Sequence, residues 1–163
     1  MNAREAIRLS LDTGHMVFSA YLEGLSDADL MRRASPGINH INWQVGHLIL
    51  AEHQMVGRAC PGSMPALPAG FAEKYSKETA GSDNASQFCS KAELLKAAAE
   101  QRAATLGVLA NLSDADLDRE IEVFGRKMSV GGALTGLLLG NTFAHTGEIS
   151  ALKGLHGAKG YPF

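Results

Sequence analysis

The chain has 163 residues, 45% of them apolar and 20% charged, with a net charge of −2. That length is ample for one domain with a buried core, and so small a net charge excludes a general electrostatic attraction to nucleic acid or anionic membrane. The longest apolar run, "VGGALTGLLLG", is ended by Asn141 and falls short of the roughly 20 residues that span a bilayer.

Met1 to Ser10 already mixes charged and apolar residues, so no signal-like segment is expected there. Cys60 and Cys89 fit no metal or redox spacing. A reduced, cytoplasmic protein is the expectation.

In chain order, the first element is an amphipathic helix over 3–24: Ile7, Leu11, Gly14, Phe18, Leu22 and Leu25 recur at three-and-four spacing. It leads into "LSDADL" at Leu25–Leu30, a hexapeptide that recurs at Leu112–Leu117. With Ser as the N-cap, the second Asp falls at the third helical position, where its carboxylate reaches back to the cap. The two leucines flank the turn as a hydrophobic staple. Both Asp residues also place negative charge at the positive end of the helix dipole. Each copy is therefore a device for starting a short helix.

Ser35-Pro36-Gly37 breaks the chain, and a second long helix is predicted over 38–58, ending before Cys60-Pro61-Gly62. The stretch from Pro61 to Ser90 is a long crossover rich in Pro, Gly and Ser. Ser90-Lys91-Ala92-Glu93 is a capping box that opens a third helix over 90–111. After the second "LSDADL", "FGRK" marks a tight turn, and Ser129 caps a fourth helix over 129–155. The predicted fold is all-α: an antiparallel four-helix bundle, with a long crossover between helices 2 and 3 and an internal two-fold repeat, in one domain over 1–163.

Two helices carry the candidate chemistry. In the second, His40, Trp43, Gln44 and His47 share a face. In the fourth, Asn141 and His145 are four apart, and Glu148 follows by three on nearly the same stripe. An i, i+4 pair can put two side chains on one ion, and a residue of a facing helix completes a three-ligand site; His47 is the candidate. His40 lies about 10 Å from His47 along the axis and cannot share an ion with it. It is expected at a pocket mouth or on the surface. His15, His53 and His156 are expected in solvent, Trp43 in the core or a pocket wall, and both cysteines unreactive.

Gly132, Gly136, Gly140 and Ala144 recur every fourth residue. Each helical Gly costs about 1 kcal/mol relative to Ala, so the stripe calls for compensation. Close helix packing within the subunit, packing across a dimer, or room for a ligand beside Gly140 would supply it. A homodimer through the first and fourth helices, or through the fourth alone, is expected.

The stretches "NWQVGHLILAEH", "MSVGGALTGLLLGNTFAHTGEISALKGL", "LPAGFAEKY" and "LHGAKGYPF" together resemble the DinB/YfiT-like superfamily of four-helix bundles. Members typically bind a divalent metal through three histidines, one in a GHL motif and two in H-x-x-x-H-x-G-Q. By that resemblance the first falls on His47, the last on His145 and the middle one on Asn141; the motif's Gln is Glu148. The implied ligands are therefore His47, His145 and either Asn141 or Glu148, for a divalent Zn, Ni or Fe ion. A neutral amide is a poor replacement for imidazole on such an ion, whereas a carboxylate would restore a strong ligand. The resemblance implies a metal-dependent thiol S-transferase or a hydrolase, acting on a small-molecule substrate or thiol, with neither nucleic acid nor membrane as partner. The alternative is a non-catalytic, dimeric binding or stress-associated protein whose metal site Asn141 has degraded.

Overall fold

A computed structural model describes residues 1–123, 125–157 and 159. Phe124 of the predicted tight turn, and Ala158 and Gly160–Phe163 of the closing segment, lie outside the described residues.

Four long helical stretches form the bundle. Helix α1 spans Ala3–Leu22 and buries the predicted stripe of Ile7, Leu11, Gly14, Phe18 and Leu22. The first hexapeptide forms α2, Asp27–Leu30; α3 spans Ile41–Ala59. The crossover holds the short α4, Phe71–Lys74, and two single turns of tighter helix at Lys77–Thr79 and Ala85–Gln87. Helix α5 spans Lys91–Asn111, and the second hexapeptide forms α6, Asp114–Asp118. Strands β1, Glu120–Val123, and β2, Arg126–Ser129, make an antiparallel hairpin. The fourth stretch starts as α7, Val130–Gly132, widens to a π-helix over Ala133–Leu139, and continues as α8, Gly140–Leu155.

The two hexapeptides fold alike. Ser26 Oγ accepts from the Asp29 backbone N–H at 3.2 Å, and the Asp29 carboxylate accepts from the Ser26 N–H at 2.9 Å and its hydroxyl at 2.6 Å. Ser113 and Asp116 repeat all three bonds at the same distances. These bonds hold both carboxyls below their usual range. The repeat is thus long helix, capped short helix, long helix, written twice, with the hairpin inserted only in the second half.

Cross-helix contacts fix the directions. Ile7 lies near Gly131, Gly14 near Leu139 and Thr142, and Tyr21 near Lys153, so α1 runs parallel to the fourth stretch. Asn42 bonds Cys89 and His53 meets Gln101, so α3 and α5 also run parallel. Arg4 reaches Ala110 and Arg102 reaches Leu11, so α1 and α5 are antiparallel. Helices joined by short connections therefore alternate in direction. The long crossover returns the chain to the end where α3 began, and α5 starts there.

The core is split. One apolar cluster gathers Phe18, Leu30, Trp43, Ile49, Leu94 and Leu152; the other gathers Leu11, Val56, Leu109, Leu117 and Leu134. Between them sits a buried polar layer. Glu52 accepts from Arg102 Nη2 at 3.0 Å and from Thr105 Oγ1 at 2.7 Å. Burial pushes the Glu52 carboxyl up, and Arg102 and Thr105 oppose that shift.

Several expectations need correction. His40 is wholly buried: its Nδ1 caps α3 by accepting from the Trp43 N–H at 3.0 Å, and its ring packs edge-on to Phe88. The second helix accordingly starts at Ile41, because a residue that caps cannot itself be helical. His15 is half-buried, and burial and the Arg102 charge lower its pKa. His53 is half-buried with Nδ1 3.1 Å from Gln101 Oε1. Among the described residues the glycine stripe meets no partner helix inside the subunit: Gly136 and Gly140 have nothing within 4 Å of an added Cβ, and Gly132 meets its own cap, Ser129 Oγ. Among the described residues, no helix is long and apolar enough to cross a membrane.

Candidate functional site

Helix α3 places Trp43, Gln44 and His47 within one turn and a half, and α8 places Asn141, His145 and Glu148 opposite them. The His47 and His145 rings meet with centroids 5.4 Å apart and planes inclined by 68°. Trp43 also stacks on His47, with centroids 4.9 Å apart and planes nearly parallel. The Trp43 indole N–H donates to Ser76 O at 3.1 Å and Thr79 Oγ1 at 3.2 Å, so the crossover holds the ring that holds His47.

The protonation of His145 follows from its neighbours. Gln44 is fully buried, and its Nε2 donates to Asn39 O at 2.8 Å, which leaves Oε1 as an acceptor facing His145 Nδ1 at 3.2 Å. Glu148 Oε2 is a second acceptor, 3.3 Å from the same nitrogen. Two acceptors place a proton on Nδ1, so Nε2 is the ring nitrogen left to meet a ligand. The His47 pKa is lowered by burial first, then by the charge that a protonated His145 would carry and by that of Lys77.

Beside this pair is a cavity of about 510 Å³. Helix α3 lines it with His47, Leu50, Ala51, Gln54 and Met55, a helical stripe; the crossover adds Ala72, Tyr75, Ser76 and Lys77, and α8 adds Asn141. Its size is within the roughly 300–1,000 Å³ of small-molecule sites. Asn141 and His47 therefore border the same space, while His145 packs against the His47 ring and Glu148 meets His145 from outside the lining.

Two imidazoles on one tetrahedral ion, at bonds of roughly 2.0–2.1 Å, have ring centres roughly 5 Å apart. The observed 5.4 Å suits that arrangement. A histidine ligand commonly donates its other N–H to an amide or carboxylate oxygen, as His145 does to Gln44 and Glu148. What is missing is a third strong ligand: among the described residues, no group of three or more His, Cys, Asp or Glu side chains is arranged to hold a metal. The two imidazoles are spaced for one ion, and Asn141, a neutral amide, lines the same cavity as His47.

The sequence profile of the DinB superfamily matches residues 10–149. The chain belongs to this superfamily. Among solved structures, it is similar to YfiT from Bacillus subtilis, described as a probable metal-dependent hydrolase with an unusual four-helix bundle topology. The TM-score is 0.68 at 15% sequence identity, over 95% of this chain and 88% of that one. At that identity the likeness speaks for the fold, and the bundle with a long crossover agrees with it. No curated protein matches the sequence. Within this DinB-superfamily chain, sequence reasoning left Gln44 and Lys77 without a site role. Gln44 carried one usable signal, its place on the His47 face; Lys77 sits in the crossover, where no periodicity points to a cavity.

Proposed function

We propose that this DinB-superfamily protein is a divalent-metal-dependent enzyme that delivers a small nucleophile, foremost a low-molecular-weight thiol, to a small-molecule substrate. The observation that carries this reading is the convergence of two imidazoles beside a cavity of small-molecule size. His47 and His145 would hold the ion, with Asn141 as the weak third ligand. Gln44 and Glu148 orient His145 and hold its Nδ1 proton, and Trp43 fixes the His47 ring. A divalent ion bound here supplies Lewis acidity, which lowers the pKa of a thiol or water. Water in place of thiol would make the enzyme a hydrolase, as the description of YfiT has it for that protein.

The absence of a three-ligand cluster among the described residues favours a second reading, a binding protein with a degraded site. Calorimetric titration of untagged protein with Zn, Ni and Fe(II) separates the two. The enzyme reading expects one ion per chain, lost in His145→Ala. Replacing a neutral amide by imidazole, Asn141→His should tighten binding by tenfold or more (about 1.4 kcal/mol). No binding in either wild type or Asn141→His would leave the binding-protein reading.

A homodimer is part of the proposal. Leu9, Met16 and Phe143 are 59%, 55% and 45% exposed on α1 and α8, which lie side by side, and the uncovered glycines share α8 and the π-helix with Phe143. A second copy of the same face would cover them.

A further inference from the structure

The cavity beside His47 has a one-sided charge pattern. Of its lining residues only Lys77 carries a full charge at neutral pH, and no Asp or Glu lines it among the described residues. The long wall from α3 is mainly apolar, with Leu50, Ala51 and Met55. The polar groups fall into two sets. His47 and Asn141 belong to the reacting pair; Ser76 and Lys77 come from the crossover. The Lys77 side chain is exposed and among the described residues makes no hydrogen bond or salt bridge; its charge is also felt by the exposed Glu78 carboxylate, which lies outside the lining, so the ammonium can turn to a ligand in the cavity. A lysine here serves as a mobile point charge rather than a fixed fork, which suits an anion of variable position.

We infer that the cavity takes small organic acids: molecules with an apolar body that lies along Leu50, Ala51 and Met55, and a carboxylate that pairs with Lys77. The assignment rests on the reading of this cavity as the substrate site, and it names the substrate class. A neutral analogue of the same shape keeps the apolar contact and loses the ion pair. A cationic analogue adds repulsion from Lys77 and finds no acid in the lining to compensate it. The preference is electrostatic and partly exposed to solvent, so salt weakens it.

Trp43 is the sole tryptophan and stacks on His47, so its fluorescence reports events in the cavity. The probes are phenylacetate, phenylacetamide and phenethylamine, titrated to millimolar levels into the whole protein at low and moderate salt. The expected result is that phenylacetate binds tightest, by about tenfold over the amide at low salt, and the amine weakest. Lys77→Met should erase the difference between acid and amide without weakening the amide, and Lys77→Arg should restore it. Lys77 is exposed, so neither change threatens the fold. Equal binding of acid and amide, a preference that survives Lys77→Met, or no binding of any probe would overturn the inference. His145→Ala separates this from the metal reading. It should lose the ion and keep the Lys77-dependent preference, so that either can fail alone.

Discussion

Gly46→Ala should destabilise this protein although alanine is the better helix former. Gly46 lies in the middle of α3, where exchange for Ala would ordinarily gain about 1 kcal/mol. A Cβ added to Gly46 clashes with the ring of Tyr75 at Cγ, Cδ1 and Cε1. The ring cannot simply step aside. Tyr75 is 1% exposed, and its hydroxyl donates to Asn42 Oδ1 at 3.1 Å and accepts from the Cys89 N–H at 3.0 Å. Moving it gives up two buried hydrogen bonds at about 1 kcal/mol each and adds overpacking strain of roughly 1–3 kcal/mol. Against the propensity gain, a net loss of about 2–4 kcal/mol is expected. Urea unfolding followed by Trp43 fluorescence measures it. Gly57→Ala is the control: the same helix, with nothing within 4 Å of the added methyl, and an expected change of at most about 1 kcal/mol toward stability. If Gly46→Ala matches the control, Tyr75 does not pack as described. In Gly46→Ala/Tyr75→Ala the second change should cost much less than it does alone, because the clash is already relieved.

Acid should weaken the fold through His40. Burial, then the Arg33 charge, push its pKa from 6.5 to about 4. The unfolded chain therefore holds that proton more tightly. Stability is full above pH 6.5 and is lost as pH falls toward 4, by about 2 kcal/mol once solvent screening near the Arg33–Asp83 surface is allowed for. His40→Asn, which can still cap α3, should flatten the slope between pH 6.5 and 4 in the same urea assay, and an unchanged slope would exonerate His40. Arg102→Met should cost about 3–5 kcal/mol, because it strands the buried Glu52 charge; the double change with Glu52→Leu should recover most of it. Sedimentation at micromolar concentration should show a dimer that Phe143→Glu disperses without loss of helicity. A wild-type monomer would dispose of the proposed pairing.

Local physics made much of the fold legible in the sequence. Capping is decided within four residues, so Ser26, Ser90, Ser113 and Ser129 each stand where the hydrogen-bond pattern of their own segment required. The apolar stripe of α1 is likewise a property of spacing alone. Along α8, spacing put Asn141 and His145 on one stripe, and the resemblance pointed to His47 on the facing helix; tertiary packing is what set the His47 and His145 rings 5.4 Å apart. Other features depend on partners far along the chain. His40 looked free because its burial under Phe88 and its coupling to Arg33 arrive from the crossover and the preceding turn. Gly46 gave no sign that Tyr75, in the crossover, needs its missing side chain. Strands β1 and β2 are too short to show alternation, and the π-helix breaks the 3.6-residue register on which spacing arguments depend. The Glu52–Arg102 layer joins two helices at positions that read separately as charged surface. Which nitrogen of His145 holds its proton was settled by Gln44, whose own amide is oriented by Asn39, a chain of hydrogen bonds that exists only once α3 and α8 are packed together.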